Sequence, residues 1–369
     1  MPRPIILGVV GDSAAGKTTI TRGLVRLLGE EHVTHIAADD YHRFDRRQRV
    51  EHAITPLDPG CNYMDIMEQH FREVRAGRPI LKPVYRHQDG TFGAPVYITP
   101  RQFTVVEGLL GYHTQALRDV FDVRVFLAPP EDLRRKWKVD RDCSRRGYTT
   151  DQVLEELDRR EADSARFIRP QRRYADIVVS FTPGEHDELD AHVTLGRCLV
   201  HPDLTPYVDG EQRGLTIIDA GAERTLAISG DIDPEYAGLI EEAIWDRMHF
   251  ASHLRSERLG EFTVGTQLHR SESLALVQLL VLYHLVTARA SVALGADGLR
   301  VDRPAPAVAS CAAAARCSIA PYQRPSIRSR RRRSHLPPSA RASRAPSGAR
   351  RSRPHRRGQL RSPGSPRPW

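Results

Sequence analysis

Short apolar runs alternate with longer amphipathic segments through the first half of the chain. The runs are rich in β-branched residues and are predicted to be strands; they are residues 5–10, 32–38, 103–108, 122–128 and 175–181. A strand that is apolar along its whole length is typical of a parallel sheet covered on both faces. The alternation therefore predicts an α/β fold with a mostly parallel sheet up to about residue 182.

Three segments carry signals for helices. One begins at Pro130, the residue favoured in a first helical turn, and ends at Gly147. A second begins with the capping pair Thr149 and Gln152. The third is the apolar run of residues 274–286, which is shorter than the roughly 18 residues that a membrane span requires. We therefore predict a buried helix there and no membrane span.

The pattern changes after residue 194. Residues 195–295 resemble antiparallel strands followed by helices and are predicted to form a smaller α+β region of the same protein, after a first domain of residues 1–194. Residues 300–369 are poor in apolar residues and rich in Arg, Pro and Ser. Such a segment cannot bury enough surface to offset its ordering entropy, so this tail is predicted to be disordered.

Charge is distributed unevenly along the chain. The net charge is +9, but residues 301–369 hold 17 Arg and one Asp and so contribute +16, which leaves residues 1–300 at −7. We expect at most non-specific polyanion binding by the tail. The five cysteines form no CxxC pair, which argues against zinc and against a disulfide framework and favours a cytoplasmic location. The apolar run at the N-terminus is too short for a signal peptide.

A phosphate-binding motif follows the first predicted strand. The segment GDSAAGKT matches G-x-x-x-x-G-K-[ST] and precedes an amphipathic segment, as the motif requires. In such a loop Lys17 reaches the β- and γ-phosphates and Thr18 binds Mg²⁺. ATP and Mg²⁺ are therefore predicted ligands, and the candidate ATP-binding residues are Gly11, Asp12, Ser13, Ala14, Ala15, Gly16, Lys17, Thr18 and Thr19.

The segment DDYHRFDR follows the second predicted strand. Asp39 comes directly after that strand, so we expect it at the carboxyl edge of the sheet beside the phosphate loop, where a kinase places the carboxylate that receives the acceptor's proton. Arg46 offers a planar fork for phosphate and His42 a directional donor, which suits an anionic acceptor. The alternative is a solvated turn whose charges pair among themselves.

A third polar cluster is KVDRDCSRRGYTTD, at the end of the helix that begins at Pro130. Lys138, Arg141 and Asp142 are spaced three and four residues apart and share one helical face. Alone, this is typical of a salt-bridged surface helix. With a phosphate loop and an acceptor loop in the same chain, it favours a lid that neutralises the transferring phosphoryl group.

These segments together resemble the phosphoribulokinases, within the phosphoribulokinase/uridine kinase family of P-loop kinases. The signature K-[LIVM]-x-R-D-x₃-R-G-x-[ST]-x-E is matched by Lys138, Val139, Arg141, Asp142, Arg146, Gly147 and Thr149. Its last position is Asp151 here. The segments TPLDPGCNYMDIM, KPVYRHQDGTF and VVEGLLG also resemble the family, with Arg86 in place of Asn and Leu110 in place of His.

The resemblance implies a P-loop NTPase-type kinase core that transfers phosphate from ATP to O1 of ribulose 5-phosphate, in an enzyme expected to be a homo-oligomer. It makes Asp39 the general base, with Lys138 and Arg141 stabilising the transferring phosphoryl group. The implied sugar-phosphate binders are His42, Arg46, Tyr85, His87 and Arg146. The implied metal ligands are Thr18, Glu107 and Asp142.

Two other hypotheses remain open. A uridine- or cytidine-kinase-like enzyme shares the phosphate loop and a similarly placed aspartate, but it should have a neutral acceptor pocket and no region after about residue 200. A catalytically silent P-loop protein would bind nucleotide without transferring phosphate, and the presence of Lys17, Asp39 and Glu107 argues against it.

Overall fold

The structure is a computed structural model that describes residues 2–185, 188–208, 213–220, 223–264 and 267–300. The tail predicted to be disordered lies outside the described residues, apart from Arg300. The side chains of Arg145 and Arg146 are also outside them, so the predicted role of Arg146 has no structural counterpart here.

The described residues contain these strands: β1 (Ile5–Gly11), β2 (Val33–Ala37), β3 (Ile80–Arg86), β4 (Thr91–Ile98), β5 (Phe103–Gly108), β6 (Val123–Leu127), β7 (Ile177–Pro183), β8 (Leu189–Leu195), β9 (Leu215–Ala220), β10 (Glu223–Ile228), β11 (Glu261–Val264) and β12 (Gln267–Arg270). They contain these α-helices: α1 (Lys17–Leu28), α2 (Arg46–Glu51), α3 (Met64–Arg75), α4 (Gln115–Arg118), α5 (Glu131–Arg146), α6 (Thr150–Asp163), α7 (Pro234–Asp246) and α8 (Glu272–Ala293).

Eight strands form the central sheet in the order β2-β5-β1-β6-β7-β8-β10-β9. The strands from β2 to β7 in that order run parallel, and β8, β10 and β9 extend the sheet in antiparallel pairing. The five strands predicted from apolar runs are these five parallel strands, and each end lies within two residues of its prediction. Every residue of β1 is buried, because the strand is covered on both faces. The predicted α/β class is confirmed.

The two capped helices are also confirmed. Helix α5 ends at Gly147, which takes a left-handed φ of 72° and donates its N–H to the carbonyl of Asp142, a conformation that costs glycine little. Helix α6 begins with the predicted capping box, in which the Thr149 hydroxyl accepts from the Gln152 N–H and the Gln152 side chain accepts from the Thr149 N–H. The two helices pack against each other beside the phosphate loop.

Helix α8 is the core helix of the C-terminal part. By length and composition it could cross a membrane, but 67% of its most apolar window is buried inside the protein. The predicted buried helix is therefore confirmed and is longer than its apolar run. It packs against α1 at Gly23, where an added Cβ would lie 2.1 Å from Nε2 of Gln278. This close approach fixes the helix that carries the phosphate loop.

The hairpin of β3 and β4 was not predicted. It is a separate two-stranded antiparallel sheet whose register shifts between Lys82 and Val84. Pro83 lies at that shift and has no N–H to donate to a ladder. Because proline interrupts the run and much of β4 is exposed, the apolar alternation that marks a strand is weak here.

A buried histidine, His284, pairs with a half-buried one, His201, in the C-terminal part. The Nε2 of His201 lies 2.7 Å from the Gly196 carbonyl, which only accepts, so His201 carries its proton there. Its Nδ1 then accepts from Nε2–H of His284 at 3.0 Å. The remaining Nδ1 of His284 is buried and has no partner among the described residues. Burial, and secondarily His201, lower the pKa of His284 from 6.5 to about 3, because a second proton would have no acceptor.

We predict that this pair makes the protein less stable in mild acid. Because the folded pKa of His284 is depressed, its stabilisation is complete above the unfolded value of 6.5 and is lost as pH falls toward about 3. Between about pH 7 and pH 5 the wild type should lose about 2 kcal/mol more unfolding free energy than His284→Gln. Urea titrations at both pH values measure this, with the exposed His253→Gln as control. Equal losses in wild type and His284→Gln would contradict the assignment.

A clasp of ion pairs holds the last described residues. Arg300 Nη1 lies 2.5 Å from Asp176 Oδ2, and both side chains are almost completely buried. Asp297 pairs with Arg3 at 3.0 Å and with Arg75 at 2.9 Å. The segment after α8 is thus tied to the strands of the parallel half, since Asp176 directly precedes β7.

We predict that the clasp sets where the chain can be shortened. Ending the chain after residue 296 removes Asp297 and Arg300. The buried carboxylate of Asp176 then loses one of its cationic partners, which should cost about 3 kcal/mol of unfolding free energy. A chain ended after residue 302 keeps the clasp and should unfold at the full-length midpoint. Thermal unfolding of the two truncations compares them directly. A large loss in the longer truncation would show that the tail itself stabilises the fold.

Candidate active site

The phosphate loop lies between the end of β1 and the start of α1. Gly16 takes φ 89° and caps the helix, and Ala14 takes φ 65°, so the loop wraps with its N–H groups inward. At Gly11 an added Cβ would lie 2.6 Å from the Leu127 carbonyl, which explains glycine there. The Lys17 ammonium donates to the carbonyls of Gly11 and Asp12 at 2.9 Å each. The predicted ATP-binding residues therefore form one loop.

Lys17 is buried among carboxylates. Burial lowers the pKa of its ammonium, and Asp39, Glu107 and Asp12 act in the opposite direction. These carboxylates come from three different segments, because β1, β2 and β5 are parallel neighbours whose carboxyl ends meet at one edge. The structure thus brings together the predicted lysine, general base and metal ligand.

Glu107 stands beside Thr18 and fits a divalent cation. Its Oε1 lies 3.4 Å from Thr18 Oγ1 and its Oε2 accepts from the buried Thr21 hydroxyl at 2.8 Å. Burial alone would raise the pKa of Glu107, but His35, Thr21 and Lys17 hold it below its ordinary value. A hydroxyl and an ionised carboxylate are the oxygen ligands that Mg²⁺ prefers when phosphates complete its shell. Thr18 and Glu107 could therefore hold the Mg²⁺ of a nucleotide.

Asp142 differs from the other predicted metal ligands. Its two oxygens accept from Lys138 and from Arg141 Nε, the latter at 2.9 Å. Burial alone would raise its pKa, and these two cations hold it below its ordinary value. In this arrangement Asp142 orients the cations, and metal binding would require it to release one of them. The described residues contain no cluster of three or more His, Cys, Asp or Glu side chains suited to a metal.

Asp39 and Asp40 are adjacent but lie in different surroundings. The Asp40 carboxylate accepts from the Tyr85 N–H at 2.8 Å and pairs with the Lys82 ammonium, so it ties the β3–β4 hairpin to the turn after β2. The Asp39 carboxylate is half-buried and makes no hydrogen bond or ion pair with the described residues. Asp39 is thus available to a ligand beside Lys17, whereas Asp40 is structural.

His42 is buried in the same turn and is neutral. Asn62 donates its amide N–H groups to the carbonyls of Pro56 and Asp58, so its oxygen faces His42 and accepts from Nδ1–H at 2.8 Å. Burial lowers the pKa of His42 to about 4. The neutral ring presents the lone pair of Nε2, so it suits a ligand hydroxyl as an acceptor rather than acting as the donor predicted from the sequence.

The hairpin brings two predicted residues to this side. Tyr85 is buried with its ring 4.8 Å from His42, and the exposed His87 ring lies 5.1 Å from Tyr85. Arg46, at the start of α2, donates to the His87 carbonyl at 2.6 Å. The four predicted sugar-phosphate binders with described side chains therefore lie in one cluster.

Arg49 belongs to this cluster and was not predicted. Its guanidinium lies 5.1 Å from the centre of the Tyr85 ring and donates to the Tyr85 hydroxyl at 2.6 Å. The spacing of three residues from Arg46 places both on one face of a helix, a signal that the sequence contains. Because α2 was not predicted, the spacing could not be used to place Arg49 beside Arg46.

Helix α5 covers the phosphate loop with cations. Lys138 and Asp142 pair one helical turn apart, and Arg141 Nη2 reaches the Ser13 hydroxyl at 3.4 Å. Burial lowers the pKa of Lys138 to about 8, opposed by its hydrogen bond to Asp142. Arg134, which the sequence reasoning missed, donates to the Ser13 carbonyl at 3.0 Å. The predicted lid is in place over the loop.

Helix α6 supplies a further cation, Arg160. It is paired with Glu156, and burial, with Arg49 next in importance, lowers its pKa to about 10. Asp12 and Asp142 act in the opposite direction, so Arg160 stands between the phosphate loop and the basic cluster around Arg49. Nothing in its local sequence distinguishes it from the surface arginines of the same helix.

Comparison with known proteins agrees with this geometry. Residues 6–186 match the phosphoribulokinase/uridine kinase family. The chain is 37% identical over 183 residues to a phosphoribulokinase of Synechocystis, covering 50% of this chain and 55% of that protein. It is 31% identical over 249 residues to the chloroplastic phosphoribulokinase of Mesembryanthemum crystallinum, covering 61% and 63%. The chain thus spans about half to just under two thirds of the curated phosphoribulokinases it matches.

A uridine kinase of Streptococcus gordonii is 33% identical over 181 residues, which cover 48% of this chain and 86% of that protein. The phosphoribulokinase from Rhodobacter spheroides has a similar fold, with a TM-score of 0.50 and 20% identity over 68% of this chain and 99% of that chain. From the phosphate loop through α6 to β7, the chain belongs to the phosphoribulokinase/uridine kinase family.

Proposed function

We propose that the protein is a phosphoribulokinase, which transfers the γ-phosphoryl group of ATP to O1 of ribulose 5-phosphate and releases ribulose 1,5-bisphosphate and ADP. The observation that carries the proposal is the position of Asp39, unpaired beside Lys17 and bordered by a basic cluster. A carboxylate there can accept the proton of an attacking hydroxyl. The cluster can bind the phosphate group that the acceptor already carries, which does not react.

Each part of the site has a role in this reaction. The phosphate loop and Lys17 hold the ATP phosphates, and Mg²⁺ bound with them would neutralise charge on the β- and γ-phosphates. Asp39 takes the proton of the O1 hydroxyl as O1 bonds to the γ-phosphorus and the bond to the β,γ-bridging oxygen breaks. Lys138 and Arg141 stabilise the charge on the three equatorial oxygens. His42 accepts from a sugar hydroxyl and so orients the acceptor.

The acceptor phosphate fits the cluster of Arg46, Arg49, Tyr85 and His87. Arg49 is near enough to disfavour the charged form of Arg160, and an anion between them would remove that repulsion. A nucleoside such as uridine carries no phosphate and would leave Arg49 without an anionic partner among the described residues, whereas Arg160 already pairs with Glu156. This electrostatic argument, with the higher identity to the Synechocystis phosphoribulokinase, favours a sugar phosphate over a nucleoside.

Product identification tests the proposal. The protein is incubated with ATP, Mg²⁺ and, separately, ribulose 5-phosphate, other pentose phosphates, uridine and cytidine, and the products are analysed by mass spectrometry. Formation of ribulose 1,5-bisphosphate supports it and places the reaction in the reductive pentose phosphate cycle. Uridine monophosphate as the main product would instead establish a nucleoside kinase, and ATP binding without any product would establish a silent P-loop protein.

The two adjacent aspartates should respond differently to substitution. Asp39→Asn removes the proton acceptor and should lower kcat by about 10²- to 10⁴-fold with the KM for ATP nearly unchanged. Asp40→Asn weakens the hairpin anchor and should lower the unfolding midpoint and raise the KM for ribulose 5-phosphate, with a smaller effect on kcat. Steady-state kinetics and thermal unfolding separate the two. An active Asp39→Asn beside an inactive, folded Asp40→Asn would reverse the assignment.

Arg49 should matter for the acceptor alone. Arg49→Met keeps the stem and removes a charged hydrogen-bond donor, which is worth about 1.5 to 3 kcal/mol. The KM for ribulose 5-phosphate should rise by about 10- to 100-fold, with the KM for ATP and kcat little changed. Arg47→Met, two residues earlier and paired only with Glu51 among the described residues, is the matched control. An equal rise in the KM for ATP would contradict the assignment of Arg49 to acceptor binding alone.

A further inference from the structure

Thr21 is a buried residue of α1 that neither the phosphate-loop motif nor the family signature includes. Its side chain is 1% exposed, and it follows Thr18 by three residues on the same helical face. Its hydroxyl lies 2.8 Å from Glu107 Oε2 and 3.3 Å from the Thr18 carbonyl. A hydroxyl has one proton to donate, and the shorter contact to an ionised acceptor takes it.

The second oxygen of Glu107 has different neighbours. Its Oε1 lies 3.4 Å from Thr18 Oγ1 and 3.5 Å from His35 Nε2. The two oxygens of this carboxylate therefore have separate surroundings: Oε2 is held by a buried donor, and Oε1 faces the hydroxyl that belongs to the phosphate loop. A partial rotation of the carboxylate would break the bond from Thr21 and move the other oxygen away from Thr18.

Packing alone does not account for a threonine here. Valine has nearly the same shape and would fill the same space without a hydroxyl, whose burial is costly unless it is hydrogen-bonded. The hydroxyl makes its short hydrogen bond to the carboxylate of Glu107, which lies on β5 next to the phosphate loop. Groups that hydrogen-bond to a ligating carboxylate fix its orientation, and their loss typically weakens metal binding by about 10- to 100-fold.

We propose that Thr21 is a positioning residue, which holds Oε2 of Glu107 so that Oε1 is presented with Thr18 to the divalent cation of the bound nucleotide. The proposal rests on the nucleotide half of the proposed function and requires nothing of the acceptor. In this arrangement Oε2 of Glu107 accepts a hydrogen bond within the protein and Oε1 binds the cation. Thr21 itself touches neither ATP nor the cation.

The test measures cation binding in the absence of catalysis. Mn²⁺ accepts the same oxygen ligands as Mg²⁺, and its electron paramagnetic resonance signal reports its binding directly. Mn²⁺ is titrated into the full-length protein saturated with ADP, for the wild type, Thr21→Val and Thr21→Ser. Thr34→Val is the matched control, because Thr34 is also buried but bonds to the backbone at Thr99 and Arg101, and on β2 it lies opposite Thr104 rather than Glu107.

Thr21→Val should weaken Mn²⁺ binding by about 10- to 100-fold, with ADP binding in the absence of metal unchanged. Thr21→Ser keeps the donor and should bind Mn²⁺ within about threefold of the wild type, well below the 10- to 100-fold loss expected for Thr21→Val. Thr34→Val should bind as the wild type does. If Thr21→Val does not fold, Thr21→Ala removes the hydroxyl without adding a methyl group and takes its place.

Wild-type Mn²⁺ affinity in a folded Thr21→Val would overturn the proposal, and so would a Thr21→Ser that binds as weakly as Thr21→Val, because the hydroxyl would then not be sufficient to position Glu107. Failure of ribulose 5-phosphate to react leaves this result untouched, since no acceptor is present. A wild-type protein that bound no Mn²⁺ with ADP would overturn the ATP site itself, and with it both proposals.

Discussion

The site depends on a buried ammonium held among carboxylates from separate strands. Removing Lys17 from water disfavours its charge, and carboxylates nearby are what oppose that loss. Only a parallel sheet in which β1 lies beside β5, with β2 next, brings Asp39 and Glu107 to the same edge as the phosphate loop. The same carboxylates are the proposed base and the proposed metal ligand, so the residues that stabilise the lysine are also those to which the proposed reaction assigns roles.

Cations from α5, α6 and α2 surround the site, and they differ in whether the protein itself neutralises their charge. Lys138 and Arg141 share Asp142, so the lid is compensated within the protein and can lie over the loop before ATP arrives. Arg49 has no ion pair among the described residues, and it disfavours the charge on Arg160. In the proposed function a phosphate on the acceptor would compensate Arg49, and a nucleoside without a phosphate would not.

The sequence predicted the parts of this arrangement that local rules govern. Runs rich in β-branched residues placed β1, β2, β5, β6 and β7, capping residues placed the ends of α5 and the start of α6, and the loop motif placed Lys17. The β3–β4 hairpin escaped prediction because Pro83 and exposed side chains weaken its alternation. Arg160 and Thr21 escaped for another reason: their importance comes from contacts with residues over fifty positions distant, and nothing nearby in the sequence marks them. The sequence motif could not give the hydrogen-bonding state of His42, because that state depends on the orientation of Asn62.

One face of helix α1 contacts Glu107 at the phosphate loop, and another face contacts the C-terminal part of the protein. Thr18 and Thr21 point toward Glu107 on the side of the sheet that binds ligand. Gly23 and Arg26 point toward the C-terminal part, where Gly23 admits Gln278 and Arg26 donates to the Glu261 carbonyl at 2.5 Å. A helix fixed on one face by α8 and β11 cannot turn on the other without breaking that packing. Helix α8 and β11 therefore contribute to the site indirectly, because they fix the rotation of the helix that presents Thr18 to the nucleotide.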